Sequence, residues 1–326
     1  MTKKAVIKQI VLACISLVLV LVMIFSGLQI LESTVLIGPK APETIQSKTI
    51  IRNGIEYFPK QDVTVVMVLG IDQFGPVEPS GTHKNSGSAD MAILLIFDEK
   101  KQECTVLQIN RDTMVDIPVK GVLGEAAGTS YEQLALAHTY GSGMADSSEN
   151  VKKTLENFLP GASIDYYVTM RMDGITILND AVGGVTVTVV DDFSDVNPSI
   201  TKGEITLKGD QVIDFVRTRK GVGDQKNTTR MQRQKEYIGN LLETLREKKG
   251  GSITFFTGIY EKLSPYMVTD CSAETLNSLF NKYANYTIGQ VLTPAGESVV
   301  VDGFYQFHAD KENLDKMLLE LFYSPK

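Results

Sequence analysis

Apolar residues enter this chain in distinct rhythms. From Gln9 to Leu31, 23 residues carry no charge, and Ile, Val and Leu dominate. As a helix at ~1.5 Å per residue such a run spans roughly 35 Å, enough to cross a ~30 Å hydrocarbon core. From Val63 to Gly70 a continuous, largely β-branched run predicts a strand buried on both faces, ended by Gly70. Met91 to Phe97 and Cys104 to Ile109 predict two more strands. Asp98-Glu99-Lys100-Lys101-Gln102 between them reads as a hairpin turn. Tyr166 to Met172 and Val185 to Val190 predict further strands, the latter after a turn at Gly183-Gly184. Val299 to Phe307 predicts one or two more.

Helical spacing is found elsewhere. Thr129 with Glu132, and Asp146 with Glu149, match capping boxes. After the second, Val151, Leu155, Phe158 and Leu159 fall at helical intervals until Pro160-Gly161 stops them. A helix is expected after Asn227-Thr228-Thr229. Met231, Ile238, Leu241, Leu242 and Leu245 form its core stripe, and Gly250-Gly251 closes it. Leu314, Met317, Leu318, Leu321 and Phe322 predict a last amphipathic helix.

The rest of the pattern sets boundaries. Residues 32–60 hold Pro39, Pro42 and Pro59 and no sustained apolar period, so they read as a connector. Residues 73–89, rich in Gly, Ser and Pro, read as a long loop, a class that is commonly functional. The expected plan is a tail at 1–9, an anchor at 10–31, a linker at 32–60 and one mixed α/β domain at 61–326.

Charge sharpens this plan. Lys3, Lys4 and Lys8 precede the apolar run and Glu32 follows it, which places the N-terminus in the cytoplasm and the bulk of the chain outside. A cleaved signal peptide fits less well, because the run is too long and lacks an A-x-A-like exit. The whole chain carries 32 Lys+Arg against 39 Asp+Glu, a formal net charge of -7. Nucleic-acid binding needs phosphate neutralisation, and only about eight residues precede the anchor, so it is not expected. Three Cys and three His, all scattered, exclude a disulfide-stapled miniprotein and a His-based metal centre. Cys104 and Cys271 could pair outside the cell, with buried free thiols the favoured reading, and His138 is expected as a structural or pocket-wall residue.

Candidate chemistry sits where strands end. Asp72 follows the first strand of the folded part, Asp90 precedes the second, and Arg111 follows the third. Arg217 and Arg219 alternate in Phe215-Val216-Arg217-Thr218-Arg219. Arg230, Arg233 and Gln234 lie early on the expected long helix, with Arg230 and Gln234 on one face. Any one of these could be ordinary turn chemistry or a solvated surface. Together, several planar, permanently charged guanidiniums suit a diphosphate, and two carboxylates suit Mg²⁺ completed by substrate phosphates. Neither a Walker A motif nor a G-x-G-x-x-G occurs.

The ordered set of motifs resembles the LytR–CpsA–Psr family. It runs from Leu69-Gly70-Ile71-Asp72 through Asp90 and Asn110-Arg111-Asp112-Thr113 to Leu134-Ala135-Leu136-Ala137-His138-Thr139-Tyr140-Gly141. It continues through Ile164-Asp165-Tyr166-Tyr167-Val168, Asp180-Ala181-Val182-Gly183-Gly184-Val185 and Phe215–Arg219 to Arg230-Met231-Gln232-Arg233-Gln234. The resemblance implies an αβα sandwich with a mixed central sheet behind one transmembrane helix. It also implies a membrane-anchored phosphotransferase, extracytoplasmic and Mg²⁺-dependent. Such an enzyme moves glycopolymers of teichoic acid or capsule type from undecaprenyl diphosphate to peptidoglycan. By motif, Asp72 and Asp90 match the metal site. Arg111, Arg217 and Arg219 match the catalytic set, and Arg230, Arg233 and Gln234 the substrate-binding set. An apolar tunnel is expected for the prenyl tail. Ser88-Ala89-Asp90-Met91 departs from the family's usual Arg-Ser-Asp-Thr. A lipid-diphosphate hydrolase, or a non-catalytic envelope-binding or regulatory protein, stays open beside the transferase.

Overall fold

The computed structural model describes residues 49–121, 123–225, 227–247 and 253–326. The expected tail at 1–9 and anchor at 10–31 lie outside these residues, as does the Gly250-Gly251 helix stop. No helix among the described residues is long and apolar enough to cross a membrane.

The fold is mixed α/β around a six-stranded sheet. Its strands are β3 (Val63–Ile71), β4 (Ala89–Asp98), β5 (Glu103–Ile109), β8 (Tyr166–Arg171), β11 (Met267–Thr269) and β12 (Thr287–Leu292). Their spatial order is β11-β8-β3-β4-β5-β12. The pairs β3/β8 and β5/β12 are parallel and the others antiparallel, so the sheet is mixed. β3 is central, which explains its unbroken apolar run: both faces need cover. Val65, Met67, Leu69 and Ile71 pack into a core with Val151 and Leu155 of helix α1 (Ala145–Phe158) and Leu314, Leu318 and Leu321 of helix α7 (Lys311–Phe322). Val66 and Val68 face the opposite side, toward α4 (Asn227–Glu247), α5 (Ile253–Leu263) and α6 (Ala273–Tyr283). Between the first two of these helices and β8 lie α2 (Met172–Ala181) and α3 (Gln211–Arg217) in chain order. They flank the hairpin β9 (Val185–Val189) and β10 (Gly203–Leu207).

Several expectations change. Thr129 and Glu132 do not cap a helix. They lie in strand β7 (Ala126–Gln133), paired with β6 (Met114–Lys120). On that strand Ser130 Oγ donates to Glu132 (2.7 Å), and so does the Tyr140 hydroxyl (3.0 Å), so side chains rather than helix amides take up the carboxylate. A short 3-10 helix follows at Leu134–Thr139. Helix α1 begins one residue before Asp146, whose carboxylate accepts from Ser142 instead of capping. The stretch read as a connector already holds β1 (Ile50–Arg52) and β2 (Ile55–Pro59), and β2 pairs with β15 (Tyr323–Pro325) near the C-terminus. Val299 to Phe307 spans two strands, β13 (Gly296–Val301) and β14 (Phe304–Ala309). Cys104 and Cys271 are free and buried.

Candidate functional site

Strand geometry places the first two acids. In the β3/β4 ladder Gly70 faces Met91 and Ile71 faces Ala89, which leaves Asp90 as the extra residue of a bulge. A bulge re-aims its side chain. The Asp72 N–H donates to the Ser88 carbonyl (3.1 Å), so both acids sit at one end of adjacent strands. Arg111 follows β5 in a tight turn. Its frame is Asp112 N–H to Asn110 Oδ1 (3.0 Å), Thr113 N–H to the Asn110 carbonyl (3.0 Å) and Asn227 Nδ2 of α4 to Asn110 Oδ1 (2.9 Å).

The arginines converge on these acids. Arg111 donates to Asp90 Oδ1, and Arg230 Nη1 reaches Asp90 Oδ2 at 3.3 Å. Arg217, the last residue of α3, donates through Nε to Asp72 (2.8 Å). Arg219 makes no side-chain hydrogen bond to a described residue, but its charge acts on both Asp112 and Arg230. Exposure rises steadily across the set, from Arg230 (3%) through Arg111 (19%) to Arg217 (44%).

Arg230 is the informative residue. Its Nε and Nη2 are buried and have no partner. Burial lowers its pKa, opposed by Asp90, while Arg219 and Arg111 push it down further. A buried guanidinium with two idle donors is costly unless an acceptor arrives. Asp112 behaves in the opposite sense. Burial raises its pKa, and Arg111, Arg219 and Arg230 offset that only in part. Asp112 pairs with Arg111 Nε at 3.3 Å and accepts from Gln133 (3.3 Å). Asp112 is not among the site residues expected from the sequence, although an acid directly after Arg111 is a readable signal.

Two expected ligand contacts are otherwise engaged. Arg233 donates to the Phe215 carbonyl (2.9 Å), to Asp191 (2.7 Å) and to the Thr218 carbonyl, and it stacks on Phe193 at 5.2 Å. It ties α4 to the segment after α3 and leaves the cleft to Arg230. Gln234 accepts from Gln108 (3.1 Å) and donates to the Val216 carbonyl (3.0 Å). It forms a wall rather than a free contact.

Beyond Gln234 the same helix lines an apolar cavity of about 360 Å³. Ile238, Leu241, Leu242 and Leu245 form one side, and Ile93 and Leu95 of the sheet the other. The expected core stripe is therefore in large part a cavity wall. Arg246 lines it as well. An ionic cluster beside such a cavity, with Gln234 between them, suits a ligand with an anionic head and a long apolar tail.

Among the described residues no group of three or more His, Cys, Asp or Glu could hold a metal. A hard cation here would draw on the two expected acids, Asp72 and Asp90, which now accept from Arg217 and Arg111, with phosphate oxygens completing the shell. That donor set fits Mg²⁺, which binds through one or two carboxylates plus substrate phosphates.

The LytR_cpsA_psr family model matches residues 37–322. The chain belongs to this family. A relative from Bacillus anthracis, the polyisoprenyl-teichoic acid–peptidoglycan teichoic acid transferase TagU, is 27% identical over 267 residues, covering 79% of each chain. Among solved structures, Bacillus subtilis TagV is similar with a TM-score of 0.62 at 27% identity, covering 80% of this chain and 97% of TagV. TagT bound to LIIa-WTA matches with a TM-score of 0.63 at 22% identity, over 87% of this chain and 96% of TagT. The fold is thus shared with the solved structures of TagV and TagT.

Proposed function

We propose that this chain transfers a glycopolymer of teichoic acid or capsule type from a polyprenyl-diphosphate carrier to peptidoglycan. One observation carries the reading: the idle, buried donors of Arg230 beside Asp90, on a helix that runs on into the apolar cavity. The charged cleft takes the diphosphate and the cavity takes the prenyl chain. Kinship with transferases of polyisoprenyl-linked teichoic acid supports the same assignment.

In the reaction an acceptor hydroxyl of peptidoglycan attacks the phosphorus that bears the glycan. The bond from that phosphorus to the bridging oxygen breaks, polyprenyl phosphate leaves, and the hydroxyl proton passes to a base. Arg111, Arg217, Arg219 and Arg230 stabilise the charge that develops on the phosphate oxygens. Asp72 and Asp90 would hold Mg²⁺, which when bound supplies charge neutralisation at the diphosphate. Residues 10–31 anchor the chain, with the folded domain outside the cytoplasm.

The test is incubation of the full chain in detergent with a polyprenyl-diphosphate glycan and peptidoglycan, with and without Mg²⁺. The expected products are glycan covalently attached to peptidoglycan and free polyprenyl phosphate. Free glycan phosphate without attachment identifies a hydrolase instead. Absence of turnover with retained lipid binding identifies a non-catalytic protein.

A further inference from the structure

The rise in exposure from Arg230 to Arg217 gives the cleft a direction. Its buried end adjoins Gln234 and the apolar cavity. Its exposed end does not stop at Arg217. Beyond it stands Phe74, 54% exposed, with its ring centroid 5.7 Å from the Arg217 guanidinium carbon. Phe74 is two residues past Asp72, at the start of the long loop between β3 and β4.

A single exposed apolar side chain is ordinary on a protein surface; here the segment that carries it is held firmly. The Gln73 N–H donates to the Ile71 carbonyl (2.7 Å), and the Gln73 carbonyl accepts from the Met172 N–H (3.0 Å). The Gly75 N–H donates to Asp173 (2.7 Å), and the Val77 N–H to the Pro265 carbonyl (2.7 Å). Arg171 Nη1 spans the carbonyls of Phe74 (3.4 Å), Gly75 (3.5 Å) and Pro76 (2.5 Å). Each residue from Gln73 to Val77 is thus fastened through its backbone, and of the segment's two exposed side chains, Phe74 and Pro76, the first is aromatic. A rigid support for an exposed group is how binding surfaces are built.

We propose that Phe74 is the stacking platform for the first sugar of the donor, the ring bonded directly to the diphosphate. This rests on the transfer reading. With the prenyl chain in the cavity and the diphosphate on Arg230, Arg111 and Arg217, the next group outward is that sugar. It leaves the cleft beside Phe74. The C–H face of a pyranose is apolar and matches an aromatic face, while its hydroxyls stay in water. Arg217 against the ring orients the platform and links it to the phosphate site.

The experiment uses the full chain in nanodiscs and two probes: undecaprenyl diphosphate, and the same lipid carrying one N-acetylglucosamine. Binding is read by competition against a fluorescent polyprenyl diphosphate. Phe74→Ala should weaken the sugar-bearing lipid about three- to tenfold, the range of an aromatic stacking contact, and leave the sugar-free lipid within about twofold. Phe74→Trp should restore the sugar-bearing lipid. Equal losses on both lipids, or no loss on the sugar-bearing one, overturn the platform. Arg230→Ala separates the two readings. If it weakens both lipids while Phe74→Ala is flat, the platform alone fails. If it weakens neither, the diphosphate site fails, and the platform falls with it.

Discussion

Two pockets on the first turns of α4 receive guanidiniums three residues apart, and they are opposites. Around Arg233 the protein supplies every acceptor: two backbone carbonyls, the Asp191 carboxylate and a ring to stack on. Around Arg230 it supplies one oxygen at 3.3 Å and adds two more positive charges, Arg111 and Arg219. Both side chains are buried, and burial lowers the pKa of both. Burial and charge therefore do not mark a ligand site by themselves. The difference lies in acceptors, which are complete in one pocket and missing in the other.

The contrast breaks most visibly by mutation of the complete pocket. Arg233→Ala leaves Asp191 largely buried without its partner, and such losses cost about 3–5 kcal/mol. Chemical denaturation should show that loss, and activity per folded molecule should hold. Arg230→Ala should do the reverse. Asp90 keeps Arg111, and repulsion from Arg111 and Arg219 is relieved, so melting should stay level or rise. Transfer should fall about 10²- to 10³-fold, the usual cost of removing one preorganised charge-stabilising donor. A stability loss at Arg230 equal to that at Arg233 would erase the distinction.

The sequence showed the first pocket and the second as the same thing, because both are an arginine on one helix. Only tertiary partners separate them, and Asp191 is 42 residues from Arg233. The central strands were readable for the opposite reason. β3 is covered on both faces, so its own residues carry the signal. β1 and β2 were not readable, since β1 pairs with β2, and β2 takes its place from β15 more than 260 residues away in the chain, as in Lys326 to Glu56. α2 was hidden by Gly174 and the β-branched Ile175, Thr176 and Ile177, all weak helix formers. Gly174 is required there, because a Cβ would run into Met170. Phe74 carried no periodic signal at all, being a single apolar residue in a loop.

A third buried cation-forming group sharpens the comparison from the support side of the cleft. His138 Nδ1 meets the Gly87 carbonyl at 2.8 Å, three residues before Asp90. A carbonyl only accepts, so Nδ1 carries the proton, and Nε2 is buried with no partner. Burial pushes its pKa down to about 4, opposed by the Gly87 carbonyl. The folded protein thus holds His138 neutral, while the unfolded chain binds a proton below ~6.5. Stability should therefore fall as pH drops from about 6.5 and level off near 4, a loss of roughly 3 kcal/mol. Melting of wild type and His138→Gln across that window checks this. The variant should be flatter, whatever its stability at pH 7.

The smallest effect belongs to the exposed end. Arg217 pairs with Asp72 at 2.8 Å, and the pairing raises the arginine's pKa. Nearly half-exposed pairs of this kind contribute only ~0–1 kcal/mol to stability, since water and salt screen them. Arg217→Ala should therefore melt close to wild type. Its cost should fall on the ligand, where a charge-assisted hydrogen bond to phosphate is worth ~1.5–3 kcal/mol, or roughly ten- to hundredfold in affinity. Arg217→Lys should recover part of it, keeping the charge and losing the fork. An inert control cannot come from Arg246 of α4, which lines the cavity that would hold the prenyl chain. Arg52, the last residue of β1, paired with Asp315 at 3.1 Å, serves instead. Both pairs are exposed and similarly short, so Arg52→Ala and Arg217→Ala should change stability alike and polyprenyl-diphosphate affinity differently. Matched affinities would mean that Arg217 is only another surface ion pair, and that the open cleft ends at Arg111.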